Sequence, residues 1–78
     1  MFFIAEAAPI PTSENTVLTP FLRVTARSER EAREALVSAF TSRGAAERQA
    51  FNFANETEGV WTDFGEVGVT ARISPSGH

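Results

Sequence analysis

Ser28-Glu29-Arg30-Glu31 joins two stretches of different hydrophobic period, Leu22-Arg23-Val24-Thr25-Ala26-Arg27 before it and Ala32 to Phe40 after it. The first alternates as a strand does. In the second, Ala32, Ala35, Leu36, Ala39 and Phe40 fall at i, i+3, i+4, i+7 and i+8, which is one stripe along a helix. A Ser at the N-cap with a Glu three residues later lets each side chain accept a hydrogen bond from the other's backbone N–H, so a strand feeds a helix at this point. Glu29 with Arg33, and Arg30 with Glu34, stand four apart on the remaining helix face. Each such pair contributes about 0.2–0.5 kcal/mol and marks a solvated side. Gly44 suits the left-handed conformation that ends a helix, which places the stop near Ser42. Three alanines in the stripe allow the helix to lie close to a sheet, with Leu36 and Phe40 filling the gaps.

Upstream of the junction, Phe2 to Ala8 has strand character, and Pro9-Ile10-Pro11-Thr12-Ser13-Glu14-Asn15 ends it as a loop. Thr16 to Arg27 is the next extended segment. Pro20 within it belongs on an edge, at a bulge, or where the strand properly begins, because proline cannot donate to a ladder. Downstream, Ala45 to Gln49 reads either as a further helical turn or as a connection. Ala50-Phe51-Asn52-Phe53-Ala54-Asn55 alternates and reads as a strand, Glu56 to Gly59 as a hairpin turn, and Val60 to Phe64 as the next strand. The alternation then changes parity between Phe64 and Val67, which indicates a bulge or a second hairpin at Gly65-Glu66, before extended character runs on to Ile73. The expected fold is α+β: a single antiparallel sheet of about four strands with one helix packed on one face, in the order β-β-α-β-β. Residues 1–73 form the single domain of this reading and 74–78 its tail. One helix covers one sheet face, so part of the other face stays exposed or meets another molecule.

A chain of 78 residues has room for one domain, and at this size folding buries only roughly 60% of the unfolded chain's surface. Seven Phe and one Trp give that small core considerable aromatic weight. A net charge of −3 argues against a general affinity for phosphate backbones or anionic lipid. The absence of cysteine excludes disulfides, thiol catalysis and thiolate metal sites, and a reducing cytoplasm fits such a chain. The apolar start Met1-Phe2-Phe3-Ile4-Ala5 lacks a basic flank and meets Glu6 early, so it reads as a strand rather than a signal segment. No stretch approaches the roughly 18 apolar residues of a membrane span. Every basic side chain is Arg, a residue suited to bidentate carboxylate contacts at protein interfaces, although GC-rich coding gives the same bias.

Catalytic chemistry finds few candidates. The one histidine is His78 at the chain end, there is no Cys, Tyr or Lys, and the remaining acid/base option pairs Asp63 with Glu66 or Glu58. No ligand spacing for a metal recurs, and Glu56-Thr57-Glu58 is too short for a calcium loop. The helix start carries Glu29 and Glu31, which repel a phosphate. No catalytic residue, cofactor or metal is therefore expected. What remains is charge asymmetry: Arg23, Arg27, Arg30 and Arg33 cluster before and within the early helix, whereas Glu56, Glu58, Asp63 and Glu66 occur with no basic residue between them. These carboxylates either solvate turns and outward strand positions or form an acidic patch that meets a basic groove. Trp61 among them is a core aromatic or an interface anchor. Arg23 and Arg27 beside exposed Phe residues give a weaker RNA-binding alternative, against which the acidic balance counts.

The order of elements, with the extended Phe21-Leu22-Arg23-Val24-Thr25-Ala26 leading into a Ser-x-x-Glu-capped helix rich in Ala and Arg, resembles small phage-encoded accessory proteins of the anti-CRISPR type. The resemblance lies in the fold pattern and carries over no functional residue. It implies stoichiometric inhibition, in which the domain occupies the nucleic-acid or partner surface of a larger host complex. The expectation is thus a cytoplasmic, non-enzymatic protein-interaction module, with Glu56, Glu58, Trp61, Asp63 and Glu66 as candidate contact residues. The alternative is a homodimeric structural or assembly protein that uses the uncovered sheet face. Direct nucleic-acid contact and membrane association are not expected.

Overall fold

Two strands whose apolar runs admit a single charge each form the centre of the sheet. β1 (Phe2–Pro9) carries Glu6, and β4 (Val69–Ser76) carries Arg72; both are flanked by small or β-branched residues that pack on either side. The computed structural model describes residues 1–76. β2 (Leu22–Ala26) and β3 (Thr62–Phe64) add the outer edges, giving one antiparallel sheet in the order β2-β1-β4-β3. Between them in the chain lie α1 (Glu29–Ser42) and α2 (Glu47–Ala54). The order is therefore β-β-α-α-β-β, with two helices where one was expected.

The junction at Ser28 forms with one shift in its hydrogen bonding. Ser28 is extended (φ −140°, ψ 158°) and its hydroxyl accepts from the Glu31 N–H at 3.1 Å. The Glu31 carboxylate in turn accepts from the N–H of Arg27, at 3.2 Å, one residue earlier than a reciprocal pair with Ser28 requires. At the other end Gly44 has φ 101°, its N–H donates to the Thr41 carbonyl and that of Ala45 to the Phe40 carbonyl, both at 3.1 Å. That pair of bonds is the Schellman arrangement and satisfies two orphan carbonyls. Ala32, Leu36, Ala39 and Phe40 are buried as the stripe requires, and both ion pairs on the outer face form, at 2.6 Å for Arg33–Glu29 and 3.4 Å for Arg30–Glu34.

Ala50–Asn55 is not a strand. It belongs to α2 and its C-cap, and the residues it buries are Ala50, Phe53 and Ala54, at helical spacing, while Phe51 is left 60% exposed. Phe53 enters a three-ring cluster with Phe40 and Phe64, with centroids 5.4, 4.5 and 5.0 Å apart around the triangle. Burial of one phenylalanine in that cluster outweighs the weak alternation that Phe51 and Phe53 create.

Glu56–Gly59 is likewise not the bend of a hairpin between two sheet strands; it connects α2 to β3. It runs beside the end of β4, where the Ile73 N–H donates to the Thr57 carbonyl at 2.9 Å and the Gly59 N–H to the Ile73 carbonyl at 2.8 Å. Thr57 is fully buried there and its hydroxyl donates to the Ala54 carbonyl. The parity change after Phe64 is a hairpin, with Gly65–Gly68 as its turn and Gly68 at φ 68°. β4 continues through Ser76, three residues past the expected end of the domain, because β1 is long enough to pair with it down to Phe2↔Ser76. Residues 77–78 of the expected tail, His78 included, lie outside the described residues. Pro20 precedes β2, which begins at Leu22, and the Phe21 N–H donates to the Ala7 carbonyl at 2.9 Å.

Both helices lie on one side. Ala5 and Ala7 of β1, Val69, Ala71 and Ile73 of β4, Ala26 of β2 and Phe64 of β3 form one buried cluster with the helix stripes, and Phe3 and Leu22 pack against it. The alternate residues face the other way and meet no helix.

Candidate interaction face

The register of the strands assigns the contents of the uncovered face. Glu6 stands opposite Arg23 on one side and Arg72 on the other. Trp61, one residue before β3, extends the same row, with the Arg72 guanidinium 5.0 Å from its ring centroid. Thr25, Ile4 and Ser74 form the next row towards Phe2, and Ala8, Thr70 and Asp63 the row on the opposite side. Ala8 and Thr70 are buried, with the Thr70 hydroxyl donating to the Thr62 carbonyl. Trp61 and Ile4 are half-buried, and Arg23, Thr25 and Asp63 are exposed.

Glu6 is the electrostatic centre of this face. The residue is only 8% exposed, and its two oxygens are divided: Oε1 accepts from the Arg72 Nε–H at 3.2 Å, and Oε2 lies 3.6 Å from the Arg23 Nε. A carboxylate this far from water requires a counter-charge, because removal of an ion from solvent costs several kcal/mol when unpaired. Two arginines on one carboxylate leave the row with an excess of one positive charge in an otherwise acidic chain. The Arg72 guanidinium over Trp61 is further held by attraction to the ring face, worth about 0.5–1 kcal/mol at such a site.

The five candidate contact residues are carried by different segments. Trp61 and Asp63 belong to the uncovered face. Glu66 lies in the β3–β4 turn, and its carboxylate accepts from Gln49 Nε2 of α2 at 2.6 Å. Glu56 follows the α2 C-cap, and Glu58 lies in the segment bridged to Ile73. Among the described residues no three of His, Cys, Asp and Glu come together as a metal ion would require.

Sequence reasoning missed Glu6 and Arg72. The signal for them was a lone charge in each of two otherwise uncharged strands, since such a charge in a central strand needs an opposite charge beside it. An open groove of ≈ 430 Å³ lies between α1 and α2 and is lined by Val37, Phe51 and Ala54 together with Arg30 and Glu34. Among the described residues no helix is long and apolar enough to cross a membrane. Comparison of the chain with models of protein families, with curated proteins and with solved structures gave no match.

Proposed function

We propose that this chain is a non-enzymatic protein-interaction module that docks a partner protein on the sheet face its helices leave uncovered. The observation that carries the reading is the row Arg23–Glu6–Arg72–Trp61: a buried carboxylate, two guanidiniums and an amphipathic ring, on the side of the sheet away from both helices. Arg and Trp are the residue types that anchor protein interfaces, and here packing and ion pairing have already removed part of their freedom. A homodimer that used this face as its hydrophobic core would have to bury the same charges, twice over, which opposes the alternative reading. The Arg-only, cysteine-free composition suits a cytoplasmic protein surface. Inhibition of a host nucleoprotein complex is the narrower form of the proposal, and it rests on the resemblance in element order alone.

A photo-crosslinking residue at position 25, on the uncovered face, compared with one at position 38, on the exposed side of α1, tests the reading in the native host. Adducts with one heterologous protein from position 25 and none from position 38 are expected. Adducts with a second copy of this chain from position 25 would replace the proposal with the homodimer, and equal labelling from both positions would remove the uncovered face from consideration.

A further inference from the structure

Each of the two arginines on the uncovered face has five N–H donors, and each approaches Glu6 through Nε. That geometry leaves the terminal nitrogens of both guanidiniums uncommitted: among the described residues no acceptor takes a hydrogen bond from Nη1 or Nη2 of Arg23 or Arg72. Arg72 is seated against Trp61, and Arg23 is 67% exposed along its side chain. β2 and β4 flank β1, so their backbones stand roughly 10 Å apart, yet both side chains converge on the one carboxylate between them.

We infer that Arg23 and Arg72, oriented through Nε by the shared Glu6, form a carboxylate clamp for an acidic segment of a partner protein. Glu6 is the positioning residue, and the outward terminal nitrogens are the contacts. A guanidinium whose Nε edge is taken still offers two parallel N–H donors from Nη1 and Nη2, one to each oxygen of a carboxylate, and charge-assisted bonds of this kind are about twice as strong as neutral ones. The row carries one surplus positive charge, which one carboxylate neutralises. A phosphodiester backbone brings a charge at every nucleotide and would pass Asp63 on the same face and the chain's net charge of −3. Thr25 and Ser74, in the adjacent row, offer hydroxyls to the backbone of an extended segment. The inference deepens the proposed docking function and rests on it.

The test titrates the isotope-labelled full chain with a terminally blocked hexapeptide that carries one Glu among Ser residues, and separately with inorganic phosphate and with an oligothymidylate. The arginine Nε–H and tryptophan indole N–H signals are followed. Arg23, Arg72 and Trp61 signals are expected to move together with one saturation curve, and R23Q/R72Q to weaken that binding at least about tenfold. R30Q/R48Q, which removes the same charge from exposed helix positions, should leave it unchanged. Should R23Q/R72Q fail to fold with Glu6 unpaired, R23K/R72K keeps both charges on Glu6 and removes the outward fork, and the same loss is expected. Saturation unaffected by either double substitution, tighter binding of phosphate or oligothymidylate than of the peptide, or no movement of the three signals would each overturn the clamp. In the last case heterologous crosslinks from position 25 would leave the docking function standing, whereas a doubled solution mass with this face closed would remove both.

Discussion

Ser28, Gly44 and Phe40 show three different ways in which one residue stabilises this fold. Ser28 supplies a hydroxyl to a helix start that otherwise has orphan N–H groups, so Ser28→Ala should lower the free energy of unfolding in urea by about 1 kcal/mol. Gly44 contributes its backbone freedom. A Cβ there would meet nothing within 4 Å, so the cost of Gly44→Ala is conformational alone, about 1–2 kcal/mol, and the same titration measures it. Phe40 is fully buried between two other rings, and Phe40→Ala should lower stability by about 3–5 kcal/mol, enough to unfold much of the chain at 37 °C. These costs have three sources: a lost cap hydrogen bond, a strained backbone and an emptied core.

Whole elements are distinguished by how their side chains share the load. In a strand, Phe51 and Phe53 would point to the same face and behave alike; in α2 they point apart. Phe51→Ser is expected to stay within about 0.5 kcal/mol of the parent chain, and Phe53→Ala to cost about 3 kcal/mol in thermal or urea unfolding. Equal costs would contradict the helix. Between elements, Glu6 and Arg72 connect the central strands at a separation of 66 residues in sequence. Because Arg72 is about a third exposed, the coupling is reduced by solvent, and a double-mutant cycle with Glu6→Gln and Arg72→Gln should give about 1–2 kcal/mol. α1 could be read from the chain because its cap, stripe, ion pairs and stop all lie within about five helical turns. α2 could not, because its N-cap is Ala46, which offers no side-chain acceptor, and its burial is decided by Phe40 and Phe64 from other elements.

For the molecule as a whole, placing both helices on one side leaves the other side of the sheet to a partner or to water. The proposed docking function requires a monomer when no partner is bound, so the melting temperature should not change across a hundredfold range of concentration. Calorimetry should show a single transition with a heat-capacity change of about 1 kcal/mol/K for a chain of this length. A melting temperature that climbs with concentration would indicate that the uncovered face is closed by a second copy.

Composition and local pattern alone determined the α+β class, the strand-to-helix junction at Ser28, the extent of α1 and the ion pairs along it, because each depends on residues within a few positions of one another. The identity of α2, the extension of β4 to Ser76 and the Arg23–Glu6–Arg72–Trp61 row were decided only in three dimensions. In each of these the deciding contact joins residues distant in the chain, so the energy that selects the local conformation does not exist until the sheet and the three-ring cluster have formed.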